Sequence, residues 1–488
     1  LSKTVKTEKV SADNSDKSDL EHLGYAQELL RDMGGFSSFA VSFSVISILT
    51  GLSQLYGYGL NHGGPLQMTG GWLLVSFFTF FVALSMAELA SSYPTSGALY
   101  HWSSFLGSKR LGWFTACFNT IGQFAVLAGI DFGLSQFLIG IMGWPKVGWV
   151  PSVLYMALLF SHAGLNHIGI KIVAWLNNFS AWYHIGVVFL LLTALSLKGF
   201  AQPVHFLFKF NSTDGFAKPY TFLIGLLLSQ WTLVGYDASA HVSEETQNPR
   251  KNAPWGIVLA VGISIIFGFL MLAAVTLSIP DLAQVTAMGD DAFTGVLKLR
   301  LGEGFGNTIS GLIAGAMWLC GLGSMTSASR MVFAFARDGG LPNSKFWAKV
   351  SASHRVPANA IWGLAALALV LALAVNAVSA DAVAAVVSMA VISLYISYGL
   401  PIFARLMGRM KNIKDEKGPW HLGAWSTPVA WVALLWICFI TIDFVLPPNL
   451  ISGILIASCF TILCLIWFFI ARHRFQGPKF HLSEKSED

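Results

Sequence analysis

Long apolar runs alternate with short polar interruptions along most of this chain, and the length of the runs carries the first inference. About 20 consecutive apolar residues, wound as a helix, cross the hydrocarbon core of a bilayer. Twelve segments approach that length: 36–60, 70–92, 112–141, 150–166, 172–197, 220–242, 253–279, 305–335, 358–376, 381–404, 428–446 and 450–471. Inside lipid each backbone N–H and C=O must be satisfied internally, so each run predicts a helix. The expectation is an all-α integral membrane protein with 12 transmembrane helices.

Composition sharpens this reading. The chain has 488 residues, 55% hydrophobic and 11% charged, where a soluble domain carries about 25% charged residues. The net charge of +5 does not point to nucleic acid, because the basic residues fall in short loops between runs. With twelve crossings both ends share one side, and all but six of the 30 Lys and Arg fall there. The six are Lys146, Lys198, Lys209, Lys218, Lys298 and Arg300. That bias predicts cytoplasmic N- and C-termini in a cell (plasma or inner) membrane. Residues 1–22 and 472–488 are polar and are expected to be cytoplasmic tails, the first of them disordered. The five cysteines lie in apolar runs without metal-ligand spacing and read as packing thiols. Nothing resembles a P-loop, which excludes ATP hydrolysis as a driver.

Two runs break their own pattern. The first contains SILTGLSQLYGYGL, Ser47 to Leu60, and the sixth contains QWTLVGYDASAH, Gln230 to His241. Glycine is a weak helix former, and a carboxylate at membrane depth costs roughly 2.5–3.5 kcal/mol on insertion scales. Glycine in one span alone also reads as close helix packing. The matched placement favours a break: run one opens the first five spans, and run six opens a second five of inverted direction. Paired interruptions of this kind point to a transporter binding site near the midplane. Freed N–H groups and half-helix N-termini there favour a carboxylate.

Four stretches carry a family resemblance: LGYAQELLRDMGGFSSFAVSFSVISILTG, ALSMAELASSYPTSGALYHW, VGYDASAHVSEETQNPRKNAP and SMTSASRMVFAFARDGGLP. From Leu23 to about Arg405 the chain resembles the amino acid–polyamine–organocation superfamily. Within it the chain is most similar to the amino acid/choline transporter group, which includes fungal GABA and choline permeases and plant bidirectional amino acid transporters. The resemblance implies a LeuT-type five-plus-five inverted repeat with broken helices 1 and 6, over about 36–197 and 220–404, within a core of 23–404. Two peripheral helices, 428–471, follow. It also places Thr50, Gly51 and Leu52, with Ser53 beside them, at the first break, where main-chain N–H groups meet an α-carboxylate. At the sixth break it places Trp231, Thr232, Leu233, Val234 and Gly235, with an aromatic closing over the substrate.

Titratable residues within the runs supply the remaining candidates. Asp237 reads either as the cap of the resumed half-helix or as a proton-coupling and gating acid. Asp131 reads as a partner for a distal substrate ammonium or as one end of an interhelical bridge, and Gln123, eight residues earlier, is expected on the same face. His184 reads as the coupling proton carrier or as a neutral core histidine. A sodium site using Ser324 and Ser327 is the rival to proton coupling. Glu88, Arg330, Arg337 and Asp338 are expected in gate and scaffold ion pairs. The expectation is a secondary active transporter, by proton-coupled symport or exchange, of amino acids or small amines such as GABA. A choline or polyamine transporter and a transporter-like nutrient receptor stand as alternatives. No enzyme activity, cofactor, metal or nucleic-acid partner is expected, and the chain is expected as a monomer or homodimer in the lipid bilayer.

Overall fold

The computed structural model describes residues 16–145, 149–213, 215–378, 382–410 and 416–478. Among these residues every regular element is helical, with a single parallel bridge between Met33 and Thr246. Among the described residues nine segments are long and apolar enough to cross a membrane: Gly35–Gly63, Gln67–Ser92, Lys109–Met142, Lys171–Lys198, Pro249–Leu277, Glu303–Arg337, Val383–Met410, Gly423–Asp443 and Leu450–Arg474. The other three predicted runs are helical as well. Val150–Ile168 spans 19 residues and ends among His162, Asn166 and His167, which dilute its apolar character. Ala358–Val378 is continuous. The sixth run is divided into Lys218–Gly225, Leu227–Thr232 and Ala238–His241.

Burial separates centre from rim. In the first run 89% of the most apolar window is buried, against 17% in the last. The last run turns Ile454, Phe460, Leu465 and Phe469 outward, as a helix facing lipid would. Lipid tails are as apolar as leucine, so close packing through small residues has to hold such helices together. A Cβ on Gly122 would lie 2.7 Å from Leu394 Cδ2. The missing side chain lets Lys109–Met142 press against Ala382–Met410. The longest helix, Glu303–Arg337, has 35 residues. At about 1.5 Å per residue it exceeds the hydrocarbon thickness and must tilt or project.

The expectation of a disordered tail over 1–22 fails for its last part. Residues 16–22 are helical, and Leu20 and Leu23 are buried against the bundle. Asp16 Oδ2 accepts the Asn248 N–H at 2.8 Å and lies 3.4 Å from Arg31 Nη1. Two leucines with apolar surface to cover, and a carboxylate with fixed donors, outweigh the polar composition. Residues 1–15 and 479–488 lie outside the described residues. The end of the bundle covered by residues 16–33 is called the N-terminal face below.

Candidate functional site

The first run is broken at Ser47. Helix Gly35–Ile46 stops there, Ser47 takes φ 33° and ψ 82°, and helix Ile48–Gly63 begins. This is three residues before Thr50, where the family resemblance put the break. Thr50 and Gly51 instead form the first turn of the second half-helix, their N–H groups donating to the Ser47 carbonyl at 2.9 and 3.1 Å. Leu52 and Ser53 follow inside that helix. Serine is a good N-cap, and the Ser47 hydroxyl also accepts the Thr50 N–H at 3.3 Å. The same hydroxyl lies 2.6 Å from Thr50 Oγ1 and 2.7 Å from His184 Nε2.

His184 is thus bound directly to the break. Its Nδ1 lies 2.8 Å from the Ser180 carbonyl, which only accepts, so Nδ1 carries a hydrogen. In the neutral ring Nε2 then accepts from the Ser47 hydroxyl. A proton added at Nε2 would reverse that hydrogen bond and turn the Ser47 hydroxyl toward Thr50. Any charge change on His184 is therefore felt at the turn that starts the second half-helix.

The sixth run is interrupted after Thr232. Trp231 and Thr232 close helix Leu227–Thr232, and Leu233, Val234 and Gly235 form the open segment. Gly235 has φ 84°, and a Cβ there would run into Val45 Cγ1 of the first run. Asp237 begins the resumed helix but makes no side-chain cap bond, so the cap reading does not hold. Its carboxylate is fully buried and turned toward other elements. Tyr398 donates to Oδ1 at 2.8 Å. Gln123, Asn119 and His241 reach Oδ2 at 3.2, 3.4 and 3.1 Å.

The two interruptions touch. A Cβ on Gly51 would lie 2.7 Å from Thr232 Cα, so the half-helices meet backbone to backbone. Above this contact Trp231 Nε1 donates to Gln54 Oε1 at 3.1 Å, and Gln54 Nε2 donates to the Ile130 carbonyl at 3.2 Å. Ser53 and Gln54 floor a cavity of about 690 Å³ also lined by Tyr58, Gln136, Asp290 and Asp291. A larger hollow of about 1040 Å³ among loops is lined by Gln202, His205, Lys209 and Asp281; Asn61 alone is common to both. The smaller cavity reaches Gln54, which holds Trp231 at the end of the helix before the second interruption, whereas the larger one touches neither residue.

Gln123 and Asp131 do not share a face. Eight residues at about 100° each leave them roughly 80° apart. Gln123 turns to Asp237, while Asp131 Oδ2 lies 3.1 Å from His162 Nδ1, both side chains fully buried. Asp131 Oδ1 and His162 Nε2 have no hydrogen-bond partner. A Cβ on Gly321 would sit 2.6 Å from Asp131 Oδ1, so the pair is pressed against helix Glu303–Arg337.

At the N-terminal face the expected ion pairs are present. Arg330 meets Glu245 at 3.1 Å, Arg337 meets Glu244 at 2.9 Å, and Arg405 meets Glu88 at 2.7 Å. Asp338 Oδ2 accepts from Tyr25 at 2.7 Å and Tyr100 at 2.9 Å, and lies 3.0 Å from His101 Nε2. Burial pushes His101 below 6.5 against the opposing pull of Asp338. Burial raises Asp338, but hydrogen bonds from His101 and Tyr25 and the Arg337 charge outweigh it, and its pKa falls below 3.8. Burial likewise raises Glu244, and Arg337 more than reverses the effect; at Glu245 burial prevails over Arg330. Ser324 donates to the Cys320 carbonyl at 3.0 Å, and Ser327 Oγ is buried without a partner. Among the described residues no three His, Cys, Asp or Glu gather as a metal site.

Sequence reasoning missed Ser47, Tyr398, Asn119, His162 and His241. Ser47 and His241 left local signals: a serine at a helix start, and an Asp–His spacing of four residues. Tyr398, Asn119 and His162 sit on distant runs and left none.

A bundle of apolar helices, two of them interrupted around buried polar groups beside a cavity, defines a multi-pass membrane protein. The amino acid permease family model matches residues 33–472, and the chain belongs to that family, whose members are secondary transporters of amino acids and not enzymes. It is 39% identical to the amino-acid permease BAT1 homolog of Oryza sativa subsp. japonica, over 94% of each chain. It is 38% identical to amino-acid permease BAT1 of Arabidopsis thaliana, over 94% of this chain and 95% of that one. The GABA-specific permease of Saccharomyces cerevisiae is 28% identical, over 88% of this chain and 78% of its own.

Proposed function

We propose that this chain moves amino acids, or small amines such as γ-aminobutyrate, across a cell membrane by alternating access, driven by a proton gradient or by exchange. The observation that carries the reading is the backbone contact of Gly51 with Thr232 beneath the cavity floored by Ser53 and Gln54. The proposed architecture is twelve crossings in two inverted sets of five plus two peripheral helices, with both termini cytoplasmic. The substrate carboxylate meets the N–H groups that start helix Ile48–Gly63, near Thr50 and Gly51. Its ammonium faces the open segment Leu233 to Gly235, and Trp231 closes over it. Leu52, Ser53, Gln123 and Thr232 complete the surroundings, and His184 and Asp237 are the coupling groups. Asp131, with one oxygen left over, favours substrates carrying a distal positive charge.

The test is uptake into sealed liposomes by purified protein, using radiolabelled alanine, lysine, γ-aminobutyrate and choline with and without an inward proton gradient. Accumulation that follows the gradient supports the reading. Binding without accumulation would make the protein a receptor, and choline as sole substrate would make it an organocation carrier. His184→Ala should abolish gradient-driven accumulation. Asp131→Asn should weaken lysine and γ-aminobutyrate more than alanine, and equal losses would remove Asp131 from selectivity.

A further inference from the structure

We infer that Asp237 and His241 hold one proton between them and act as a unit, so that the proton latches the resumed half of the sixth run to the closed N-terminal face. This deepens the reading of proton-driven transport and rests on it. His241 Nδ1 lies 3.0 Å from the Ser96 carbonyl, which only accepts, so Nδ1 carries a hydrogen. A neutral ring would then offer a bare Nε2 to Asp237 Oδ2, 3.1 Å away. Two acceptors at that distance repel. One proton shared between Nε2 and Oδ2 turns the contact into a hydrogen bond and leaves the pair neutral as a whole.

No neighbouring charge can substitute for that proton. The other groups on the Asp237 carboxylate, Tyr398, Gln123 and Asn119, are neutral donors. The next turn carries Glu244 and Glu245, each matched to its own arginine, Arg337 and Arg330. His101 and Asp338 face each other at 3.0 Å. At the start of helix Pro249–Leu277, Arg250 lies 3.4 Å from Asp19 and Lys251 is exposed. The first half-helix presents the Ser38 carbonyl and the Ser42 hydroxyl, both bonded to Ser239, and the tenth run adds Tyr395 beside Tyr398, near Tyr236. Removing the proton leaves a buried carboxylate without a cation, which a low-dielectric interior disfavours.

The pair is tied to closure of the N-terminal face. Ser96, whose carbonyl holds Nδ1, donates its N–H to Glu244 Oε1 at 3.1 Å, and Glu244 is held by Arg337. Opening that face separates Ser96 from His241, admits water to the pair and lets the proton leave. His184 differs in that its Nε2 faces the Ser47 hydroxyl, which can donate to the neutral ring or accept from the charged one.

The experiment is gradient-driven uptake in liposomes by wild type, His241→Gln and Asp237→Asn, with radiolabelled alanine and γ-aminobutyrate as probes. Each substitution removes the shared proton from one end of the pair while keeping polar atoms there. The ratio of uptake with the gradient to uptake without it should fall about tenfold or more in both folded variants. A ratio that survives in either folded variant overturns the inference and leaves the transport reading intact. A wild-type protein that ignores the gradient overturns proton coupling itself. If neither variant folds, nitrogen NMR of the 12 histidines in wild type decides. One ring with a proton on each nitrogen, one of them shared with a carboxylate, is expected, and its absence overturns the inference.

Discussion

Gly321 shows how tightly one residue can be constrained at membrane depth. Asp131 and His162 close over its Cα, and a Cβ would come within 2.6 Å of Asp131 Oδ1. Gly321→Ala should therefore cost about 1–3 kcal/mol through forced movement of the pair, read as a lower midpoint of thermal unfolding in detergent. An unchanged midpoint would mean the pair yields freely. His101 sets a pH dependence at the N-terminal face. Its folded pKa lies below 6.5, so the unfolded chain binds the extra proton first. Its contribution to stability is complete above that value and is lost as pH falls through it. Asp338, held below 3.8, acts with the same sign in a more acidic window. Protection of the Tyr25–Asp338 contact in hydrogen exchange should thus decline as pH drops below about 6.5, and His101→Gln should flatten that decline. At this scale the sequence was partly readable. Asp237 and His241 are four residues apart and meet on one short helix, a spacing visible in any helical reading. Tyr398 approaches Asp237 across 161 positions, and no local pattern announces that contact.

The interrupted helices are the elements on which the proposed function turns. Ser47 occupies the left-handed region at φ 33°, a costly conformation for a residue with a Cβ. Its hydroxyl offsets that cost by capping Thr50 and bonding His184. Ser47→Ala removes both bonds and should destabilise the protein by about 1–2 kcal/mol, with a loss of transport greater than the loss of folded protein. Equal losses in uptake and yield would make Ser47 a folding residue only. Gly235→Ala tests the second interruption. At φ 84° alanine is strained, and its Cβ collides with Val45. Transport should fall at least about tenfold by forcing the two interruptions apart, checked by uptake per molecule of folded protein. The glycines and hydroxyls marked both runs as interrupted. The precise turning point was displaced because Ser47, a better cap than the residues around it, captures the Thr50 and Gly51 amides.

Across the whole molecule, buried ion pairs bind separate runs into one closed face. Arg330–Glu245 is wholly buried, and Arg337–Glu244 nearly so. Removing one partner strands the other, at a cost of about 3–5 kcal/mol. Glu244→Gln or Arg337→Gln alone should therefore lower thermal stability more than the double replacement. Both single variants should also increase labelling of cysteines introduced beneath the N-terminal face. A double variant as damaged as the sum of the singles would mean the pair is not coupled.

The sequence by itself determined that the chain is helical and crosses a membrane several times, and that the first and sixth runs are interrupted. Each of these follows from a local property: apolar length, or glycine and charge inside it. Tertiary structure alone decided that Gln123 serves Asp237, that Asp131 is held by His162, and that Ser96 reaches His241. Those pairings join residues from different helices, and only the packing of the bundle fixes which faces meet.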